Sequence, residues 1–355
     1  MSVVTGALSV VDLDVDDAAW RRIVDTATGS SPFHHPRLVR AAASSTGCRS
    51  VVLGARRGTE LAGGIAAVVS PGGSVLPRSL AAFNGPLVAA MPGAHPRARH
   101  RHESTVAGAL LDELVRRHPR VSLRMRPGTV DIRGLVERGW VPSLSFTYHL
   151  DLSDLSLAWR RVDDNRRRLV RRAEHLGYEV REVSAVDADG RLVDRVARLH
   201  AQQQASYGTP VELDRAGWRV VLASLLGSRV ARLFATADPR GDLVAFVLVS
   251  ASVPSAAVLA SGAERSALDD GAAALLRWEV FRQVSGDGVR VLDLNGARTG
   301  PHGRFKASFG GELVERWELR SPEQTTVPTW GSIVRRAAAG VRSDVRRLRT
   351  LRQER

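Results

Sequence analysis

Apolar residues along this chain recur with a period of two in some stretches and near 3.6 in others, and the alternation predicts short strands interleaved with amphipathic helices. Residues 50–54 and 63–70 are Val- and Ile-containing runs separated by Arg56-Arg57-Gly58-Thr59, a hairpin pattern, and Phe83-Asn84-Gly85-Pro86 closes that segment with turn chemistry. Val106, Leu110, Leu111 and Leu114 share one face of a helix expected over 104–117. A strand at 121–125, a short helix at 130–138 stopped by Gly139, and an alternating strand at 146–152 follow. The same grammar then repeats. One helix runs from about 153, with Trp159, Val162, Leu169, Val170, Ala173 and Leu176 on a face, and Gly177 ends it. Helices at 193–206 and 215–226, strands at 231–236, 243–252 and 256–261, a helix at 271–284 and a strand at 289–294 complete the pattern. The fold class expected is α/β (α+β): two similar domains, each a mixed, mostly antiparallel sheet flanked by helices, at 1–152 and 153–322. Residues 323–355 form the tail, where Ile333, Val334, Ala337, Val341, Val345, Leu348 and Leu351 give a basic amphipathic helix.

Length agrees with two domains, since 355 residues exceed one ordinary core. Hydrophobic residues at 44% and charged residues at 25% describe a globular chain, for which disorder is not the default. Cys48 is the single cysteine, which excludes an intrachain disulfide and cysteine-rich zinc sites and fits a reducing cytoplasm. His34-His35 and the pair His100 and His102 lack a matching ligand set, so no metal is expected. The N-terminus has no basic region ahead of an apolar run, and no stretch reaches a membrane span. The expected location is cytoplasmic, with the basic tail able to dock on the anionic inner face of a membrane or on RNA, or to pack back on the body. A net charge of +14 attracts polyanions in general: RNA, anionic lipid, or a phosphate-bearing substrate.

Candidate chemistry starts from one residue. Among 51 basic residues the only lysine is Lys306, in Arg304-Phe305-Lys306. A compact three-donor ammonium does what a planar guanidinium fork cannot, which marks Lys306 as the leading site residue. His200, Gln203, Gln204 and Tyr207 fall at i, i+3, i+4 and i+7, so they can face a common cleft and grip a sugar or peptide, or form an ordinary polar helix face. Asp293, at a strand end, and Glu279, on the helix before it, are the carboxylates able to accept a proton; Asp293 equally suits capping the next turn, and Glu279 a surface ion pair. Asn295-Gly296 predicts a tight turn, with Asn295 available to substrate.

Several segments resemble the Fem peptidyltransferases and the related acyltransferases with two GNAT-like domains. In the first half these are Ser31-Pro32-Phe33, Asn84-Gly85-Pro86-Leu87-Val88, and Gly139-Trp140 leading into Thr147-Tyr148-His149-Leu150-Asp151-Leu152. In the second they are Trp159 with the basic run Asn165 to Ala173, Trp278-Glu279, Asp293-Leu294-Asn295-Gly296, and Arg304-Phe305-Lys306 with Phe309-Gly310. The resemblance implies transfer of an acyl group to an amine: from aminoacyl-tRNA to a peptidoglycan or other cell-envelope precursor, or from acyl-CoA in the acetyltransferase relatives. It puts Phe305 and Lys306 at the transfer centre, with the Phe305 main-chain N–H and the Lys306 ammonium stabilising the oxyanion and Arg304 orienting a phosphate or carboxylate. Where a CoA enzyme of this kind carries a glycine-rich phosphate loop, this chain has Ser261-Gly262-Ala263-Glu264-Arg265-Ser266-Ala267-Leu268-Asp269-Asp270-Gly271-Ala272. Asp269 and Asp270 at the helix start are expected to repel an anion, which leans toward the acceptor end of a charged tRNA as donor. The alternatives are an acetyl-CoA-dependent N-acetyltransferase of an amino sugar or other small amine, and a non-catalytic RNA- or envelope-binding scaffold.

Overall fold

The computed structural model describes residues 7–27, 29–129, 131–186, 188–297 and 300–322; the basic helix expected at 330–355 lies outside the described residues. The chain opens with β1 (Leu8–Leu13), α1 (Ala18–Thr26) and α2 (Pro36–Ser44), then the hairpin β2 (Arg49–Arg57) and β3 (Glu60–Val69) and the two-residue β4 (Leu87–Val88). α3 (Pro96–Arg117), β5 (Ser122–Arg124), the one-turn α4 (Arg133–Val136) and β6 (Val141–Asp151) complete the first half. The second half runs α5 (Leu155–Arg161), α6 (Asp164–His175), β7 (Glu179–Val183), α7 (Gly190–Ser206), α8 (Arg215–Leu226), β8 (Ala231–Ala237), β9 (Leu243–Ser250) and β10 (Ser255–Ala263). It continues through α9 (Arg265–Asp269), α10 (Ala272–Gly286), β11 (Val291–Asp293), α11 (Pro301–Ala307) and β12 (Glu312–Arg320).

The strands form a four-stranded sheet in the order β1-β2-β3-β4 and an eight-stranded sheet in the order β5-β12-β6-β11-β10-β9-β8-β7. Every strand pair is antiparallel except β10 with β11. Val75 bridges both Val69 and Val121 and so links the two sheets. β6 ends at the expected boundary near 152, yet pairs with β11 and β12 from beyond it, and β12 also pairs with β5. One apolar cluster draws on both halves, packing Leu38, Ala41 and Ala42 of α2 with Trp218, Leu222 and Leu225 of α8. Burial of each leucine among them contributes roughly 1.5–3 kcal/mol, so the two halves share an apolar cluster rather than standing as beads on a string.

Local chemistry accounts for the helix starts. Asp189 accepts from Leu192 N (2.8 Å) at the start of α7, and Asp214 from Gly217 N (2.7 Å) at the start of α8. α3 begins eight residues before the expected 104, because His95 caps Arg97 N and Pro96 takes the first helical position, while the first two turns carry no apolar stripe to betray them. The single helix expected from 153 to Gly177 is two, α5 and α6. Val162 and Asp163 are extended between them, and Arg167 Nη1 donates to the carbonyls of Trp159 (3.2 Å), Arg160 (2.9 Å) and Val162 (2.7 Å), satisfying the end of α5.

α10 starts at Gly271, whose φ is 89° and whose α-hydrogen side abuts α6: a Cβ there would lie 2.1 Å from Leu169 O. Both the backbone region and the contact exclude a side chain. Gly271→Ala is therefore expected to destabilise the fold by about 2–4 kcal/mol, read by chemical denaturation; an unchanged midpoint contradicts this packing of α10 on α6.

Candidate active site

β10 and β11 run together only over Ser255–Ala257 and Val291–Asp293. Beyond that point β10 continues to Ala263 beside β9, while β11 turns away. The divergence leaves an opening at the C-terminal ends of the parallel pair, the usual place for a ligand in a sheet containing parallel strands. The turn that takes β11 away is Asn295-Gly296, both with positive φ (54° and 94°). Asp293 caps it, accepting from Asn295 N (2.7 Å) and from the Thr147 hydroxyl, whose oxygen in turn accepts from Gly296 N (2.9 Å).

Lys306, on α11, is 6% exposed and donates to the carbonyls of Leu294 (2.6 Å), Asn295 (2.9 Å) and Gly296 (2.8 Å). Three acceptors match the three hydrogens of an ammonium. This corrects the expected oxyanion role: the donors meant for a carbonyl oxygen are committed to the main chain, and Lys306 fixes the turn. Phe305 is the fifth residue of α11, past the first turn in which helix amides stay free, so its N–H is not an oxyanion donor either. Its ring instead lines a cavity, with the Arg166 guanidinium 4.6 Å above it.

Two cavities flank the opening. The first, of about 1180 Å³, lies between α7, the end of β10, the start of α10 and α11. The second, of about 630 Å³, lies on the other side and reaches the first half of the chain. Gln203, Tyr207, Ser261, Arg277 and His302 line both, so the cavities meet there. Gln203 Nε2 donates to Tyr207 Oη (2.6 Å), and Tyr207 Oη lies 2.5 Å from His302 Nδ1. With the amide donating to the phenol oxygen, the phenol hydrogen is left for His302.

His200, Gln203, Gln204 and Tyr207, read from helical spacing, all line the second cavity. His200 is 2% exposed, 3.0 Å from Gln204 Nε2 and edge-on to Trp218; burial pushes its pKa down to about 4, so it is neutral at pH 7. Asn295 and Lys306 line the same cavity. Three expectations do not join it. Asp293 is buried beneath the turn and lines neither cavity; burial alone would raise its pKa, but the facing His149 (3.6 Å) and Thr147 hold it below the ordinary value, which suits a capping carboxylate and not a base. Glu279 pairs with Arg282 (2.8 Å) on the far side of α10. Arg304 is exposed and lines neither cavity.

The electrostatic objection to a phosphate-bearing donor also changes. Asp270 is held by Arg172 (3.0 Å) and the Tyr178 hydroxyl (3.0 Å), Asp269 is exposed, and neither lines the first cavity, whereas Arg166 and Arg265 do. Glu264, which lines it, is paired with Arg195 (2.6 Å). His302, Arg277 and Arg316 were missed in the sequence. His302 stands four residues before Lys306, so the same one-turn spacing that grouped the α7 residues would have put it beside that lysine.

Two measurements follow. Lys306→Met is expected to cost about 3 kcal/mol, because it orphans three carbonyls, and to speed hydrogen exchange at residues 294–297; Lys306→Arg should not restore them. Exchange unchanged at the turn contradicts the role given to Lys306. Separately, the pKa of both His34 and His200 is lowered by burial from 6.5 to about 4. The unfolded chain binds the extra protons, so stability is full above pH 6.5 and is lost as pH falls toward 4, on the order of 3 kcal/mol per histidine. His200→Gln should flatten about half of that slope in thermal unfolding, and an equal slope in the variant contradicts it.

Residues 160–307 match the model of the acetyltransferase (GNAT) domain family. No curated protein matches the chain in sequence. Among solved structures, FemX is similar at 12% identity with a TM-score of 0.62, over 87% of this chain and 96% of that one. L-PGS from Bacillus licheniformis is similar at 10% identity with a TM-score of 0.55, over 90% and 95%. A tandem GNAT protein from the clavulanic acid biosynthesis pathway is similar at 15% identity with a TM-score of 0.53, over 88% and 98%. Identities this low carry the fold alone. The opening beside β10 thus lies within the stretch that matches the GNAT domain, in a chain with the two-domain fold shared by FemX and tandem GNAT proteins.

Proposed function

We propose that this protein is an N-acyltransferase in which the donor occupies the first cavity, the amine enters through the second, and the bond forms where the two meet. The observation that carries the reading is the shared lining of Gln203, Tyr207, Ser261, Arg277 and His302. A direct transfer needs two substrates to approach one point from separate sides, held at near-attack distance. The nitrogen attacks the acyl carbon, the new C–N bond forms, and the C–S or C–O bond to the donor breaks. The proton lost by nitrogen passes to Tyr207 Oη as the phenol hydrogen moves to His302 Nδ1, and returns to the leaving sulfur or oxygen. The roles of Tyr207 and His302, and the division of the chain near residue 152 into a supporting and a catalytic unit, belong to this proposal.

Acyl-CoA suits the first cavity as donor. The cavity has the size of a ligand site, is bordered by the start of the 15-residue α10, and has Arg166 and Arg265 beside it while Asp270 is held elsewhere. In that reading the amine belongs to an amino sugar or another small molecule. A second reading, transfer from aminoacyl-tRNA to a cell-envelope precursor, is favoured by the exposed arginines Arg168, Arg171 and Arg172 on α6, which also supplies Arg166 to the cavity wall. The non-catalytic scaffold has no counterpart to the Tyr207–His302 contact.

Purified protein incubated with acetyl-CoA or with charged tRNA pools, each beside a mixture of amines and envelope precursors, is expected to yield an N-acyl product from one donor, identified by mass. Tyr207→Phe and His302→Ala should each lower kcat about 100-fold with KM little changed. Consumption of neither donor, or full activity in both variants, contradicts the proposal.

A further inference from the structure

Arginine burial in the second cavity goes beyond what acyl transfer requires. Five cationic side chains line it, Arg78, Arg124, Arg277, Arg316 and Lys306, against the two carboxylates Glu212 and Glu318. Three of the cations have protein partners: Arg124 bonds Glu318 (2.8 Å), Arg78 faces Glu212 (3.7 Å), and Lys306 holds its three carbonyls. Glu212 is further occupied by Ser79 N (3.1 Å) and Oγ (2.5 Å).

Arg277 and Arg316 differ. Arg277 sits in the middle of α10, is 7% exposed, and has no carboxylate or hydrogen-bond partner among the described residues. It lines both cavities, so its fork stands at their junction. Arg316, on β12, is 5% exposed; its Nε donates to Ser145 Oγ (3.1 Å), and among the described residues its Nη1 is buried without a hydrogen-bond partner and no carboxylate lies within ion-pair distance of it. Burial draws the pKa of both down to about 10, so both stay charged at neutral pH. Asp293 and Glu318 act on Arg316 only at longer range, and Tyr207 alone acts on Arg277; a buried charge without a close counter-ion is costly to a fold, so two in one cavity favour an anionic ligand.

We propose that the second cavity is an oxyanion subsite for the acceptor: the amine it receives carries a carboxylate, as an amino acid or a peptide end does, which Arg277 and Arg316 bind while the nitrogen is presented at Tyr207. This rests on the two-cavity reading above and narrows it to one substrate class. A planar guanidinium fork fits a carboxylate in bidentate fashion, and a cavity of about 630 Å³ suits a small molecule of this kind. A phosphate ester offers the same oxyanion chemistry, and the test separates the two sources.

Titration calorimetry on the purified chain compares matched pairs: L-lysine with cadaverine, L-alanine with ethylamine, O-phosphoethanolamine with ethanolamine. In the first two pairs the carboxylated member is expected to bind at least about 30-fold tighter than its plain amine, and Arg277→Met and Arg316→Met should each remove that preference. Arg277→Met should leave the thermal midpoint of the free protein equal or higher, because it removes an uncompensated charge. Preference confined to the phosphate pair confirms the oxyanion subsite and assigns it to phosphate esters. No preference for the anionic member of any pair overturns the subsite, as does a variant that melts earlier yet keeps the preference. Binding is read without turnover, so selective binding without acylation leaves the subsite standing and removes the transfer reading. Acylation blind to the carboxylate does the reverse.

Discussion

The triple hydrogen bond from Lys306 to the carbonyls of residues 294–296 is the contact on which the site depends. A strand that stays beside β10 would close the sheet and leave no room for ligands. β11 leaves because Asn295 and Gly296 adopt positive φ, and a turn of that kind exposes three carbonyls on one side that need donors. One ammonium supplies all three, and does so from α11, the helix that also carries Phe305 into one cavity and His302 to the junction of both. The same residue that holds the sheet open thereby sets the helix that lines the gap.

From that opening the electrostatics divide. On one side the lining is mainly apolar, with arginines toward α6 and α9 and the acids Asp269 and Asp270 turned elsewhere. On the other, buried cations outnumber carboxylates, and His200 is kept neutral by burial. An acyl chain with a phosphate-bearing handle suits the first environment, and a small polar amine with an anionic group suits the second. β12 contributes to this division from a distance in sequence: it lies between β5 and β6, and carries Arg316 and Glu318 into the wall of the second cavity.

Much of the fold was legible because its strands are buried on a regular period. β8, β9 and β10 read as near-continuous apolar runs, and the β2–β3 hairpin as two runs around Gly58. β12 escaped, since Glu-Leu-Val-Glu-Arg-Trp-Glu-Leu-Arg places Arg316 at a buried position where the pattern anticipates an apolar residue. The break between α5 and α6 was hidden because the apolar spacing runs on across Val162 while Arg167 closes the helix end. In the site, the helical face of His200, Gln203, Gln204 and Tyr207 could be read because i, i+3, i+4 spacing is local. The roles of Lys306, Asp293 and Glu279 could not, because they depend on which way a turn and a helix face point. Arg277 and Arg316 were masked by abundance: among 51 basic residues two buried ones carry no mark in the sequence.

The most direct test of two substrates meeting from separate sides is hydrogen exchange with each ligand alone, using a non-transferable acyl-CoA analogue and a carboxylate-bearing amine. The account predicts that the donor analogue protects residues 261–274 and the amine protects 200–209 and 294–297, with His302 shielded by either. Protection of one common segment by both ligands, or of neither region by either, would contradict it.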